Sequence, residues 1–339
     1  MSADVQRKSM GRPSWYKLLR QYDRPDLRKV IWQLVNTFVP YAALWAVMIL
    51  TVQRGLSYWV TLALSVPAAF FLVRIFIFFH DCCHRSFFAS QTANTIVGYV
   101  TGVLTFTPYD EWRESHNRHH ATVSDLDRRG TGDVWTMTVE EYRNASPWQR
   151  LAYRFFRHPL VTFGLGPTYI FLLSQRLPGK NASRTAVRSV IITDLAILAI
   201  FGLAAVTIGI RTYVLVQLPV ILIAATIGVW LFYVQHQFEG VYWARHEAWN
   251  PLRAALEGSS YYKLPGVLRW LTGSIGLHHV HHVRPRIPNY NLQACLDAIP
   301  ALQDVNPVTV GRSLKSPWLD LWDEERQQLV SFRAARQLS

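Results

Sequence analysis

The chain is poor in charged residues. Asp, Glu, Lys and Arg make up only 17% of its 339 residues, whereas 50% are hydrophobic and 13% are aromatic. A soluble enzyme of ordinary composition carries more ionised groups and fewer apolar ones. The balance therefore predicts an integral membrane protein.

Cysteine is scarce, and several cofactor motifs are missing. The three cysteines are Cys82, Cys83 and Cys295; neighbouring cysteines rarely pair, so nothing indicates an oxidising compartment. One adjacent pair does not match the ligand spacing of an iron–sulfur cluster. The sequence has no glycine-rich dinucleotide fingerprint, no phosphate-binding loop and no fused haem or ferredoxin module. The polar, basic N-terminus lacks an apolar core, so no cleaved signal peptide is expected.

Four long apolar runs are present and predict an all-α integral membrane protein with four transmembrane helices in two hairpins. The predicted spans are about 36–52, 57–79, 189–210 and 213–234. Arg74 lies inside the second span, where we expect it near the interface with its side chain reaching toward water.

The remaining segments are predicted from the same pattern. We expect a basic leader over 1–34, a membrane domain over 35–300 and a tail over 301–339. Within the membrane domain, 80–188 and 235–300 form a helical cap. The apolar stretches 95–106 and 160–173 are too short or too interrupted to span, and are predicted to be interfacial.

Positive charge is distributed unevenly along the chain. The leader holds eight Lys and Arg, the segment 80–188 thirteen and the chain from 235 onward eleven, whereas the turns near Arg54 and Arg211 hold one each. By the positive-inside rule, both termini and the cap face the cytoplasm. The net charge of +13 suits anionic lipid or an acidic protein partner. No nucleic-acid-binding motif accompanies it, which argues against nucleic acid.

Ten of the twelve histidines fall in four tight groups, and only His158 and His246 lie outside them. The groups are His80 with His84; His116, His119 and His120; His236 alone; and His278, His279, His281 and His282. Spacings of i, i+3 and i+4 place rings on one helix face, from which His279 points away. A solvated or core histidine pair explains one such group as well as a metal does. Four groups on one side of the membrane favour metal binding, although His236 alone also fits a core or supporting role.

The ligand type narrows the choice of metal. Eight or nine imidazoles are too many for one ion, so two ions are implied. Structural zinc favours four ligands and usually cysteine, and hard cations favour oxygen. An imidazole-rich site suits iron, copper or zinc, and redox iron best explains its place at the mouth of a membrane bundle. Candidates for orienting the ligand rings are Asp81, Asp125, Asp133 and Glu239, which fit ordinary capping or surface positions equally well.

The motifs resemble those of the membrane fatty acid desaturase family, in its bacterial acyl-lipid branch. The likeness covers about residues 20–300 and is carried by the three histidine boxes and their surroundings. The matching segments are 71–74 before the first box, 128–135, 138–142, 235–239, and 285–292 after the last box.

The resemblance implies a four-helix membrane body with a cytoplasmic cap that binds two irons. The implied ligands are His80, His84, His116, His119, His120, His278, His281 and His282, with His236 completing the set and His279 in a supporting or packing role. It also implies an oxidoreductase of the bacterial inner membrane that uses O2 to place a cis double bond in acyl chains of membrane lipids. Electrons would come from a separate ferredoxin or flavodoxin, whose acidity suits the basic cap.

The sequence departs from the family pattern at a few positions. Cys83 stands where the first box commonly has glycine, so its side chain either crowds the site or packs beside it. Gly240 and the pair Val283 and Arg284 also differ, near a region expected to shape substrate choice.

Two other functions share features with this pattern. Hydroxylases and ketolases that act on alkanes, sterols or carotenoids use the same histidine architecture. A metal transporter or sensor would need ligands at mid-membrane, whereas these groups lie at or beyond helix ends. The position of a new double bond (delta-5, delta-9 or delta-12) depends on the depth of a channel whose lining residues the motifs do not identify.

Overall fold

A computed structural model of the chain describes residues 13–130 and 132–337, and they are mostly helical. Residues 1–12 of the predicted leader and the last two residues of the predicted tail lie outside the described residues.

The α-helices follow one another in two series. In the first part of the chain they are α1 (Leu27–Gln53), α2 (Tyr58–Cys83), α3 (Gln91–Leu104), α4 (Tyr109–Thr122), α5 (Val139–Asn144), α6 (Pro147–Arg157) and α7 (Gly166–Thr168). In the second part they are α8 (Arg184–Thr207), α9 (Ile210–His236), α10 (Pro251–Glu257), α11 (Gly266–Leu271), α12 (His278–Val283), α13 (Asn289–Ala298), α14 (Pro300–Gln303), α15 (Val310–Ser313) and α16 (Phe332–Gln337).

Short 3-10 helices, π-helical turns and strands complete the fold. The 3-10 helices are Ser14–Gln21, Leu126–Arg128, Ser174–Arg176 and Ser316–Trp318, and the π-helical segments are Val161–Leu165 and Tyr169–Leu173. The strands are β1 (Met137–Thr138), β2 (Tyr262–Lys263), β3 (Val308–Thr309), β4 (Leu321–Asp323) and β5 (Gln328–Val330). They form a sheet of order β1-β4-β5 and a parallel pair β2-β3.

Four helices, α1, α2, α8 and α9, are long and apolar enough to cross a membrane. This confirms the number of apolar spans predicted from the sequence, but the helices extend further than the apolar runs. The Asp26 carboxylate caps α1 by accepting from the backbone N–H groups of Arg28 and Lys29, so the helix begins before the apolar residues do.

The break between the last two long helices lies at Ile208 and Gly209, not at Arg211 as the sequence indicated. Gly209 has φ +82°, a conformation that glycine adopts without steric cost. Arg211 is therefore the second residue of α9, since the backbone conformation of the glycine determines where the helix starts.

Helix α2 lies at the centre of the long helices and packs against α1 and α9. Its buried face includes the side chains of Ala68, Leu72 and Ile75, each at most 1% exposed. Large apolar side chains elsewhere on the long helices point outward, among them Trp59 at 78% exposure and Val206 at 82%. Such a surface is unusual in water but matches a lipid environment.

The residues of the predicted tail pack onto the rest of the chain. Strand β4 pairs in parallel with β1, matching Met137 with Leu321 and Thr138 with Trp322, and β5 pairs with β4 in antiparallel register. The Trp322 side chain is 1% exposed. The tail is thus an integral part of the folded unit around β1.

Arg74 is buried within the bundle, which corrects the expectation that its side chain reaches toward water. It is 2% exposed; its Nε donates to the Thr37 hydroxyl at 2.9 Å, and a terminal nitrogen donates to the Trp270 carbonyl. The guanidinium also lies 4.2 Å from the centroid of the Trp270 ring. These partners satisfy the cation and connect α1, α2 and α11.

We expect Arg74→Met to lower the stability of the protein by about 3 kcal/mol, because it leaves buried polar partners unsatisfied and removes the ring contact. The measurement is the melting temperature in detergent, read from the loss of the monodisperse species on heating. Arg54→Met is the matched control, since Arg54 is exposed in the turn after α1. Equal melting temperatures for the two variants would contradict the structural role of Arg74.

Candidate metal centre

The predicted histidine groups converge at one end of the bundle. His80 lies in the last turn of α2 and His84 immediately follows that helix, while His236 is the last residue of α9. Helix α4 carries His116, His119 and His120, and α12 carries the final box.

Local sequence explains why α4 and α12 hold their rings in place. Helix α4 begins after Pro108, has Asp110 and Glu111 in its first turn, and ends where Val123 turns away with ψ +133°. Acidic residues at the start of a helix favour its N-terminal dipole. All six residues of α12 are buried, and Val280 and Val283 belong to the same apolar cluster as Leu292 of α13.

The nine histidines separate into two groups of ring nitrogens. The first group, here called the five-histidine group, consists of His80, His84, His116, His120 and His281. The second, the four-histidine group, consists of His119, His236, His278 and His282. Within each group, one nitrogen from every ring lies within 4.8 Å of all the others.

Each HxxHH box contributes to both groups. His116 and His120, at i and i+4, belong to the five-histidine group, while His119 turns to the other group. In α12 the division is reversed, since His278 and His282 belong to the four-histidine group and His281 to the five-histidine group. The rings of His120 and His282 stack with centroids 4.1 Å apart, so the two groups are adjacent.

The distances between ring nitrogens fit metal coordination. The Nε2 atom of His120 lies 3.0 Å from Nε2 of both His116 and His281. Nε2 of His278 lies 3.0 Å from Nε2 of both His236 and His282. Metal–nitrogen bonds of about 2.1 Å that meet at right angles separate two ligand nitrogens by about 3.0 Å, whereas tetrahedral angles would separate them by about 3.4 Å.

Protons alone do not satisfy these nitrogens. A hydrogen bond between two imidazoles uses one proton, and a neutral ring has only one to donate. Nε2 of His80 and Nε2 of His84 are buried with no hydrogen-bond partner among the described residues. A cation bound at the centre of each group would pair with all of these lone pairs at once.

Burial favours the neutral form of six of these rings. It lowers the pKa of His84, His116 and His120 well below the ordinary imidazole value, and neighbouring rings lower it further. The pKa values of His278, His281 and His282 are lowered for the same reasons. Neutral imidazole is the form that binds metal ions.

Several of the rings are oriented through their second nitrogen. Asp133 lies 2.9 Å from Nδ1 of His119, and Asp81 lies 3.2 Å from Nδ1 of His80. The other carboxylate oxygen of Asp81 accepts from the backbone and side chain of Asn289, at 2.7 and 2.9 Å. These contacts leave Nε2 of each ring directed at its group, as expected for an oriented ligand.

His236 is oriented by a backbone group instead. Its Nδ1 lies 3.1 Å from the carbonyl oxygen of Gly258, which accepts the ring proton and leaves Nε2 toward His119 and His278. The sequence contained no signal for this partner, because any residue supplies a carbonyl oxygen.

Two carboxylates predicted to orient ligand rings do not do so. Asp125 lies 2.7 Å from Nδ1 of His246 and accepts from the backbone N–H of Asp127, so its carboxylate serves a loop outside the two groups. Glu239 has a 69% exposed side chain, 3.8 Å from Arg312. In both cases the carboxylate contacts a residue outside the two nitrogen groups.

His279 lies apart from the nitrogen groups on α12. Its Nε2 donates to the Leu302 carbonyl at 3.0 Å, and burial lowers its pKa to about 4. The neutral ring thereby ties α12 to the end of α14. His158, which like His246 lies outside the four histidine groups of the sequence, is exposed.

The departures from the family pattern have structural explanations. Cys83 packs in an apolar cluster with Phe78, Phe79 and Tyr109, beside the site rather than in it. Arg284 pairs with Asp23 at 2.8 Å, and Val283 belongs to the α12–α13 core. Val283, Arg284 and Gly240 do not line the cavity described next.

An apolar cavity of about 320 Å³ leads to the histidines. The end of the cavity nearest the nitrogen groups, here called its upper end, is lined by His80, His116 and His278 together with Trp112 and Asp133. Below them the walls are side chains of α2 and α9, including Leu72, Val73 and Ile221. The Trp112 ring stacks on His116 with centroids 4.2 Å apart, so the two rings form adjoining parts of the cavity wall.

Comparisons with known proteins agree with this arrangement. A family model described as fatty acid desaturase matches residues 56–309. A fatty acid desaturase of Bacillus subtilis (strain 168) is 48% identical over 322 residues, which are 95% of this chain and 91% of the relative.

More distant relatives match a smaller part. The sn-1 acyl-lipid omega-3 desaturase (ferredoxin) of Synechocystis is 28% identical over 66% of this chain and 63% of its own. The chloroplastic omega-6 fatty acid desaturase of Arabidopsis thaliana is 27% identical over 66% of this chain and 50% of its own.

We expect the purified protein, expressed with ample iron, to contain about two metal ions per chain, one in each nitrogen group. His120→Ala and His282→Ala each remove a ligand from a different group, so each should lower the content toward about one. Elemental analysis by inductively coupled plasma mass spectrometry gives the number. His279→Gln is the control in the same helix and should keep the full content; a loss equal to that of His282→Ala would refute its exclusion from the site.

We further expect Asp133→Asn to weaken metal retention by about 10- to 100-fold, because a neutral amide oxygen stabilises the Nδ1 proton of His119 less than a carboxylate does. The rate of metal loss to a chelator measures this effect. Glu239→Gln is the control for a carboxylate that contacts no ring of either group. Similar rates for the two variants would show that the contact between Asp133 and His119 does not support the ligand.

Proposed function

The chain belongs to the fatty acid desaturase family, and we propose that it is an O2-dependent desaturase that introduces a cis double bond into acyl chains of membrane lipids. The observation that carries this proposal is the place of the two nitrogen groups. They lie at the end of a cavity whose walls are mostly apolar and whose other end lies among membrane-sized helices. An alkyl chain is the ligand that such a cavity accepts without leaving polar groups unpaired.

The nitrogen donors of the five- and four-histidine groups would hold one iron ion each. Two iron ions there would supply the reduction of dioxygen to water and the removal of two vicinal hydrogens, which no side chain provides. The chain's own residues hold and orient the reactants. Asp81, Asp133 and the Gly258 carbonyl fix ring orientation, and the buried walls around Trp112 exclude water from the cavity.

The orientation in the membrane follows from charge. The two proposed hairpins, α1–α2 and α8–α9, place their short turns at one end, where Gln53 donates to the Ile208 carbonyl at 3.5 Å. The histidines lie at the opposite helix ends, as do the segments that hold most of the Lys and Arg. We therefore place the histidine end, the cap and both termini in the cytoplasm of a bacterial cell membrane.

Reducing electrons would come from a separate acidic carrier, a ferredoxin or a flavodoxin. Exposed arginines near the site, such as Arg85 and Arg118, give the cap a surface that attracts such a partner. The name of the Synechocystis relative includes ferredoxin, which supports this class of donor.

Expression in a host with simple saturated lipids tests the proposal. We expect monounsaturated acyl chains two mass units lighter than their precursors, identified by mass spectrometry of the extracted lipids. His281→Ala should reduce the product at least about 100-fold, because it opens the five-histidine group. His158→Ala is the matched control, since His158 is exposed and outside both groups.

Two results would contradict the proposal. Product chains heavier by one oxygen would identify a hydroxylase, which is the principal alternative for this histidine arrangement. An unchanged rate for His281→Ala would show that the last box does not take part in the reaction.

A further inference from the structure

The long face of α9 that lines the cavity changes character halfway along. Its cavity-lining residues are Ile221, Ala224, Ala225, Gly228, Val229, Leu231, Phe232 and Gln235. Small residues at 224, 225 and 228 follow the bulkier Ile221, and larger side chains resume at Val229. The cavity is wide at the level of these three small residues because they provide little side-chain volume there.

Gly228 opens onto empty space. A Cβ atom built at this position meets no heavy atom within 4 Å. Glycines that allow helices to pack closely behave differently: at Gly98 the same atom would lie 2.2 Å from the Tyr109 ring. Since Gly228 lines the cavity, the space beside it is cavity, and the missing side chain is what keeps it open.

The position of Gly228 along the helix corresponds to a defined length of acyl chain. It lies seven residues from Gln235, which at 1.5 Å per residue is about 10 Å below the upper end of the cavity. Carbon–carbon bonds of about 1.5 Å advance an extended chain by a little more than 1 Å each, so about eight carbons separate the two levels. Ile221, a further seven residues along, lines the far end of the cavity.

The chemistry of the walls decides which part of the substrate reaches this level. Below the histidines, the α2 and α9 side chains facing the cavity include Leu72, Val73 and Ile221, and none of these offers a hydrogen bond. An ester carbonyl placed there would lose its hydrogen bonds to water without replacement. At the other end the cavity is lined by polar side chains, among them Ser115 and Asp133.

We propose that Gly228 determines chain-length and positional specificity by admitting the methyl-terminal segment of the acyl chain past the middle of α9. The inference rests on the proposed desaturase function and adds the residue that sets how many carbons lie beyond the reacting bond. A larger side chain at this position closes the lower half of the cavity. The chain then enters less deeply, so fewer carbons separate the double bond from the methyl end.

The test uses the full-length protein with Gly228→Leu and Gly228→Ala, and Gly202→Leu as the matched control. Gly202 lies in α8, is exposed, does not line the cavity and likewise has open space around a built Cβ. Acyl chains of roughly 12 to 20 carbons, which span the lengths found in one half of a bilayer, are supplied to the host. Mass spectrometry of dimethyl disulfide adducts then locates each double bond.

We expect wild type and Gly202→Leu to give the same products. Gly228→Leu should lower conversion of the longest chains at least about tenfold relative to the shortest, and should move the double bond toward the methyl end by two or more carbons. Gly228→Ala should show a smaller change in the same direction. A product profile of Gly228→Leu identical to wild type would overturn the inference, as would loss of all products at every chain length in a folded protein with full metal content.

A binding measurement separates this inference from the proposed function. Thermal stabilisation by lysophospholipids of increasing acyl length requires no turnover. We expect stabilisation to rise with chain length in wild type and Gly202→Leu and to stop at a shorter length in Gly228→Leu. If no protein forms double bonds but this difference is present, the proposed function fails and the role of Gly228 holds. If Gly228→Leu does not fold, Ala225→Leu and Gly228→Ala decide by the same two readouts, and unchanged profiles for both would overturn the inference.

Discussion

The structure depends on nitrogen lone pairs that are buried and face one another. Nε2 atoms at 3.0 Å separation, such as those of His116, His120 and His281, cannot all be satisfied by the protons that neutral imidazoles carry. In an apolar surrounding this is a large destabilising contribution unless a cation is shared among them. The long helices, the short helix α12 and the orienting carboxylates can all be understood as parts that hold these rings together against their mutual repulsion.

Helical periodicity explains how three short motifs serve two centres. Residues four apart share a face, so His80 with His84, His116 with His120 and His278 with His282 each stay in one group. The histidine three positions after the first histidine of each HxxHH box faces the other group. His119 therefore belongs to the four-histidine group and His281 to the five-histidine group. The five-histidine group draws on all three boxes, and the four-histidine group draws on the second and third boxes together with His236. Loss of α4 or α12 would therefore disrupt both groups.

The sequence predicted the features that depend on local spacing and composition. The four apolar helices, the position of His279 apart from the nitrogen groups and the contacts of Asp81 and Asp133 with histidine rings follow from periodicity and from proximity in sequence. Asp125 and Glu239 looked equivalent but point elsewhere, because the direction of a loop is set by tertiary packing. The Gly258 carbonyl, Asn289 and the cavity residue Gly228 had no local signal: one is a backbone atom, one supports a carboxylate more than 200 residues away, and one acts through the side chain it lacks.

The wide sequence separation of the rings has a consequence for how the protein is made. The five-histidine group joins His80 to His281, and at about 5 to 20 residues per second a ribosome needs roughly 10 to 40 seconds to synthesise the chain between them. During that interval α2 is already available for insertion and α9 is still being synthesised, while α12 does not yet exist. The first two boxes therefore precede the rings that complete their groups. Under the proposed function, loading with metal would be a late event in biogenesis, and a ribosome stalled before α12 would leave a chain that cannot complete either group.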